Sequence, residues 1–184
     1  MSDTILTPIP QRVADATAVA AAITTAQDAD TAFQAKLDEL AHLLYPDAYI
    51  QSLETLMQAE TDVASIQGYQ AEIAQANANK ELAQSTAIGL ARPAQSALYA
   101  SLTALLTAAL AEMDVLATEA QTAENSLFSS YGLPWEATSI TRRVSTYRAQ
   151  LQQKLDGLQF DLNRPGNVQL TRQTSTSILA WFGH

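Results

Sequence analysis

The positions of six prolines most constrain the fold of this chain: Pro8, Pro10, Pro46, Pro93, Pro134 and Pro165. Proline inside a helix removes a backbone hydrogen bond and clashes with the preceding turn, which costs about 3 kcal/mol relative to alanine. The long stretches between these prolines hold few glycines and are rich in alanine, leucine and glutamine, which favour helix. The spacing therefore predicts an all-α protein of about four helices and a shorter C-terminal tail.

Apolar residues recur at helical spacing in the first two segments, about 11–44 and 47–88. The stripe of the first segment includes Phe33, Leu37, Leu40 and Leu44, and that of the second includes Leu56, Val63, Ile66 and Ile73. The second segment is only thinly apolar, because glutamines surround its stripe. Each segment is expected to bury a narrow seam against a neighbouring helix.

The third segment, about 94–131, has the most regular stripe and is expected to be the most buried helix. The members of this stripe are Leu98, Leu102, Leu105, Ala109, Met113, Leu116, Ala120 and Leu127. The nineteen uncharged residues from Pro93 to Ala111 reach the length of a membrane span. Polar residues such as Gln95 and Ser101 interrupt that run, which favours a buried bundle helix over membrane insertion.

A fourth helix is predicted from about Trp135 or Thr138 to Leu162, and Pro165 with Gly166 then predicts a turn. The apolar stripe of this helix is Ile140, Val144, Tyr147, Leu151, Leu155, Leu158 and Leu162. Long helices joined by short loops pack antiparallel. The predicted organisation is an N-terminal arm over 1–10, an elongated antiparallel helical bundle over 11–162, and a non-helical C-terminal tail over 163–184.

Charge is unevenly distributed along the chain, whose net charge is −9. Residues 142–184 carry six bases and two acids, whereas the preceding part of the chain is strongly acidic. The overall acidity argues against nucleic acid as a partner, because an acidic protein repels a polyanion. The lack of cysteine excludes disulfides, and the N-terminus lacks the basic and apolar regions of a secretory signal. The expected location is a virion or the cytoplasm.

No motif in the sequence predicts catalysis, a cofactor or a small-molecule substrate. Glu39 and His42 have the Glu-x-x-His spacing of ferritin-like di-iron sites, but those sites use two such motifs and further glutamates. The only other histidine is His184. There is no cysteine nucleophile, no Gly-x-Ser-x-Gly and no glycine-rich phosphate loop with lysine. We therefore expect a protein without enzymatic activity.

The candidate partner-binding residues are an apolar C-terminal cluster and nearby arginines. The cluster is Ile178, Leu179, Trp181 and Phe182, and the arginines are Arg142, Arg143, Arg148, Arg164 and Arg172. Aromatic residues are favoured interface anchors, so the cluster is expected to dock into a neighbouring subunit. The alternative is that the cluster folds back and closes the end of its own bundle. The arginines are expected to face acidic helices, either of a neighbour or of the same chain.

In this layout the chain resembles small all-helical virion proteins of tailed bacteriophages, notably head–tail adaptors. The resemblance covers the helical residues 11–162 and the tail 168–184. It implies a ring-forming helical body whose C-terminal extension, here the apolar cluster, enters the portal. Deletion of 168–184 is accordingly expected to abolish assembly and to leave helicity and melting nearly unchanged.

The leading hypothesis is a non-catalytic structural subunit that assembles with copies of itself and with other assembly proteins. The alternative is a cytosolic helical binding module or chaperone-like adaptor. A lipid-binding helical protein and a metalloenzyme are less favoured.

Overall fold

Every element in the described part of the chain is a helix. The computed structural model describes residues 8–131, 138–162 and 168–183, and these contain no strand. The helices are α1 (Ile9–Ala14), α2 (Thr17–Glu39), α3 (Ala41–Leu44), α4 (Pro46–Ala59), α5 (Val63–Ala78), α6 (Lys80–Tyr131), α7 (Thr138–Leu162) and α8 (Val168–Trp181). The prediction of an all-α fold is confirmed.

The described residues form eight helices where about four were predicted, because short breaks divide the first two segments and because residues 168–181 are also helical. The break between α4 and α5 contains neither proline nor glycine. Glu60 Oε1 accepts the backbone N–H of Asp62 at 3.0 Å and that of Thr61 at 2.8 Å. Asp62 Oδ2 accepts the backbone N–H of Ser65 at 2.9 Å and so caps the start of α5. These backbone hydrogen bonds hold the turn, and they lower the pKa of both carboxyl groups.

The third predicted helix is longer than expected, because α6 continues through Pro93 and has 52 residues. Pro93 and Gly89, four positions earlier, are both exposed. Water can therefore bond to the Gly89 carbonyl, to which the proline donates no hydrogen bond. Burial of the apolar stripe that follows offsets the proline penalty of about 3 kcal/mol, since each buried leucine contributes about 1.5–3 kcal/mol. The prediction that Pro93 separates two helices is wrong.

The chain divides into two compact units. The larger unit comprises residues 1–30 and 97–184, and its described part includes α1, α7, α8 and portions of α2 and α6. The completely buried side chains of α6 in this unit are Leu98, Leu102, Leu105, Leu106, Ala109 and Met113. The predicted stripe of the third segment therefore does face the core, as far as the side chains are described. The predicted fourth helix is also present, as α7.

The apolar character of α6 is sufficient, by length and composition alone, for a membrane span. A window of 18 residues in Lys80–Ser126 has a mean hydropathy of 1.5, and 39% of that window is buried within the chain. Core helices of proteins outside membranes share these properties. Within α6, Leu98, Leu102 and Leu105 are covered by this chain's own side chains.

The smaller unit, residues 31–96, buries fewer apolar side chains than the larger one. Leu40 packs with Ala87 and Ala91 in a buried cluster, and three partly buried leucines surround it. The structure describes all residues of α5, and none of them is buried. This division differs from the predicted arm, single bundle and tail; residues 1–7 of the predicted arm lie outside the described residues.

Residues 168–181 form the helix α8 and not the non-helical tail that the sequence predicted. The buried residues of α8, together with Phe182 directly after it, include a stripe at spacings of 4, 3 and 4 residues: Thr171, Ser175, Ile178 and Phe182. Such spacing is typical of a helix, but the first half of the stripe is polar and therefore suggested a spacer. The predicted turn at Pro165 and Gly166 lies outside the described residues.

Replacing Pro93 by alanine is expected to stabilise the protein by about 1–3 kcal/mol. Alanine supplies the N–H that α6 lacks at this exposed position and removes the clash with the preceding turn. Denaturant unfolding followed by circular dichroism measures the change, with Ser96→Ala, another exposed position of α6, as the control. A Pro93→Ala protein no more stable than the parent would show that α6 does not continue through this residue.

Candidate functional site

The face that α8 turns to the core is half polar and half apolar. Thr171 and Ser175 are completely buried. Thr171 Oγ1 lies 3.0 Å from Tyr99 Oη of α6, and Ser175 Oγ donates to Asp30 Oδ1 of α2 at 2.7 Å. An unpaired buried hydroxyl would cost about 1–3 kcal/mol, and these hydrogen bonds avoid that cost. Polar pairs therefore hold the start of α8, and apolar side chains hold its end.

The apolar C-terminal cluster lies inside its own chain. Ile178 is 1% exposed, Leu179 8% and Phe182 5%. Trp181 is half-buried, with its ring 4.8 Å from that of Phe182 and 6.2 Å from that of Tyr147, both edge to face. Ile178, Leu179 and Phe182 are therefore not available to dock into a neighbouring subunit, contrary to what the sequence led us to expect, because they pack onto the chain's own helices. The alternative, in which the cluster folds back, is what the structure shows.

The predicted arginines lie in different surroundings. Arg148 of α7 pairs with Asp114 of α6, with Nε and Oδ1 2.7 Å apart, so this arginine faces an acidic helix of its own chain. Arg142, Arg143 and Arg172 are exposed and form no ion pair with any residue of the described ranges. A partner contact through these three side chains stays a prediction.

A carboxylate from α6 anchors the start of α7, beside two of these arginines. Glu124 Oε1 accepts the backbone N–H of Thr141 at 3.2 Å. An acidic group is favourable there, because the first N–H groups of a helix lack partners within it. Arg142 and Arg143 follow directly in the sequence, whereas Arg164 lies outside the described residues.

Glu39 and His42, the predicted Glu-x-x-His pair, are separated by the break between α2 and α3. Glu39 forms an ion pair with Lys36, with Oε1 and Nζ 2.8 Å apart. Within the described residues, no group of three or more His, Asp or Glu side chains is placed to hold a metal ion. His42 instead lines a cleft of the smaller unit.

This cleft has a volume of about 240 Å³ and lies between α3, α4, α5 and the first turn of α6. The polar residues that line it are His42, Tyr49, Glu72, Gln75 and Asn79. Tyr49 Oη donates a hydrogen bond to Glu72 Oε1, which joins α4 to α5. The imidazole of His42 meets the Tyr49 ring at 5.7 Å between centroids, with an interplanar angle of 62°. Three side chains with polar or charged atoms thus meet at the cleft.

Two contacts outside the cleft hold its walls together. Lys80 at the start of α6 forms an ion pair with Asp47 at the start of α4. Gln84 Nε2 donates to the backbone carbonyl of Leu44 at 3.4 Å.

The hydrogen bond that Tyr49 donates to Glu72 raises the pKa of Tyr49 above its ordinary value, and burial and the Glu72 charge raise it further by smaller amounts. Tyr49 therefore stays protonated at neutral pH and remains a hydrogen-bond donor.

Sequence reasoning missed the cleft because it assigned Tyr49 and Glu72 to one continuous helix. The two residues are 23 positions apart and approach each other only because the chain turns at Glu60–Asp62. The signal that could have revealed the turn is Asp62 followed by Ser65, an N-cap arrangement without proline or glycine.

Truncating Phe182 is expected to destabilise the protein by about 3–5 kcal/mol, because its ring is buried in the larger unit. Val115→Ala, at an exposed apolar position of the same unit, is the control and should change stability by no more than about 0.5 kcal/mol. Thermal and denaturant unfolding measure both. Equal stability of Phe182→Ala and the parent protein would restore the free-tail interpretation, as would unchanged melting after deletion of 168–184.

No family model, curated protein or solved structure matches this chain.

Proposed function

We propose that the chain is a non-catalytic structural subunit of a larger protein assembly, formed with copies of itself and with other proteins. One observation carries the proposal: the smaller unit leaves many large apolar side chains in solvent. These residues, called here the open apolar set, are Tyr45 (49% exposed), Leu56 (52%), Val63 (67%), Leu82 (67%) and Leu90 (48%).

The number and size of these side chains support an interaction role. Single exposed apolar residues are ordinary on protein surfaces, whereas several within one small unit favour a partner. Leu82 and Leu90 are eight residues apart on α6, and so lie about 80° apart around the axis of that helix, within one broad face. Covering such side chains gains about 25 cal/mol for each Å² of apolar area removed from water.

The larger unit contrasts with the smaller one. Among its described residues the large apolar side chains that are exposed are Val115 and Ile140. Its C-terminal cluster, the predicted docking element, is already covered. The proposed assembly surface is therefore the smaller unit, and the proposed second contact is the exposed arginines of the larger unit.

A component of a tailed-phage particle, such as a head–tail adaptor, is the most specific form of this proposal. The all-helical architecture supports it. The docking extension that the resemblance implied is not proposed again, because Ile178, Leu179 and Phe182 are buried within the chain. The location proposed for such a component is a virion or the cytoplasm.

The second candidate function is a cytosolic helical binding module or chaperone-like adaptor. The observation that favours it is the open cleft of the smaller unit, which has an apolar wall and several polar side chains, because binding modules present concave sites of this kind. A binding module would stay a monomer or small oligomer alone, whereas an assembly subunit forms a large ring or co-assembly.

Light scattering of the purified full-length chain over a range of concentrations tests the proposal. We expect a species much larger than the 19.8 kDa chain, and we expect Val63→Asp with Leu82→Asp to reduce it, since buried unpaired carboxylates oppose association. Val115→Asp, the same change on the larger unit, is the matched control and should leave the assembly intact. A monomer at every concentration, or equal disruption by the control variant, would contradict the proposal.

A further inference from the structure

We infer that the cleft of the smaller unit binds an alkylammonium group, with Glu72 as its counter-ion and the side chains around Pro46 as its apolar wall. This inference does not depend on the proposed assembly role. It rests on four properties of the cleft: a carboxylate oxygen left open, an apolar wall, the ring of Tyr49 and the charge of the surrounding unit.

The carboxylate of Glu72 has one oxygen engaged and one available. Oε1 accepts the hydrogen bond from Tyr49 Oη, which fixes the orientation of the carboxylate at the cleft. Oε2 accepts no hydrogen bond from any residue in the described ranges. An ammonium group carries three donors and no acceptor, so it complements a free carboxylate oxygen. Hydrogen bonds between such charged groups are about twice as strong as neutral ones.

The remainder of the cleft suits a short hydrocarbon chain. Pro46 is buried, and Leu43, Ala76 and Ala83 are partly buried beside it. The volume of about 240 Å³ is below the range of about 300–1,000 Å³ that holds drug-sized ligands. The cleft therefore fits a small group with an apolar stem and a polar head.

The Tyr49 ring adds a preference for a positive head. It lies at the cleft in an edge-to-face pair with the His42 imidazole. The face of a tyrosine ring attracts a cation by about 0.5–1 kcal/mol at exposed sites. A hydroxyl head group would gain less from the same surroundings.

The charge of the smaller unit selects a cation over an anion. Residues 31–96 carry eight acidic and three basic side chains. Lys80 and Lys36 are already paired with Asp47 and Glu39. The field at the cleft therefore raises the local concentration of small cations and lowers that of carboxylates.

Titration of the full-length protein with n-butylammonium, followed by amide chemical shifts, tests the inference. We expect shifts at the cleft residues, little or no binding of butyrate, and at least tenfold weaker binding of n-butanol. Glu72→Gln keeps an acceptor for Tyr49 but removes the charge, and it should weaken n-butylammonium binding at least tenfold. Glu54→Gln, an exposed glutamate of α4 that does not line the cleft, should bind as the parent does.

Absence of cleft shifts, equal binding of n-butanol, or unchanged affinity in Glu72→Gln would each overturn the inference. Comparison with Nα-acetyl-lysine amide distinguishes the two sources of this chemistry. Equal binding assigns the site to a lysine side chain of a protein, and selective binding of n-butylammonium assigns it to a free amine. Light scattering of the same samples reports the assembly separately, so failure of one proposal does not imply failure of the other.

Discussion

Burial of the apolar stripe of α6 is the interaction on which the rest of the structure depends. From Leu98 to Ala120 this stripe is covered, and a polar contact to the same helix positions each of two later helices. For α7, the contacts are the ion pair between Arg148 and Asp114 and the hydrogen bond to the Glu124 carboxylate. For α8, the contact is the hydrogen bond between the hydroxyl groups of Tyr99 and Thr171. The apolar seam supplies the free energy, while these polar pairs fix where each neighbouring helix lies.

Apolar burial is unequal between the two units, and this inequality connects the fold to the proposed function. In the larger unit even the apolar C-terminal cluster packs against helices of its own chain. In the smaller unit α5 buries no residue, and five large apolar side chains remain exposed. Helices with so little covered surface gain stability when a partner covers the rest. We therefore propose residues 31–96, and not the C-terminal end, as the assembly surface.

The sequence allowed the helical class and the α6 and α7 stripes to be predicted, because those stripes consist of leucine and similar residues at regular spacing. It did not reveal α8, since Thr171 and Ser175 are buried only because Tyr99 and Asp30, distant in the chain, accept or share their hydrogen bonds. It also placed a break at Pro93 and none at Asp62. Both errors have one cause. Hydrogen bonds to solvent and to side chains determine whether the helix continues at Pro93 and breaks at Asp62, and the spacing of prolines does not indicate such bonds.

Hydrogen–deuterium exchange at low and high protein concentration tests most directly whether the larger unit is stable alone and the smaller unit is stabilised by a partner. We predict strong protection of the amides of 98–120 and of α8 at both concentrations, with protection in α4 and α5 that rises as the protein assembles. Exchange in α4 and α5 that is slow and independent of concentration would contradict this prediction, because those helices would then be stable without a partner.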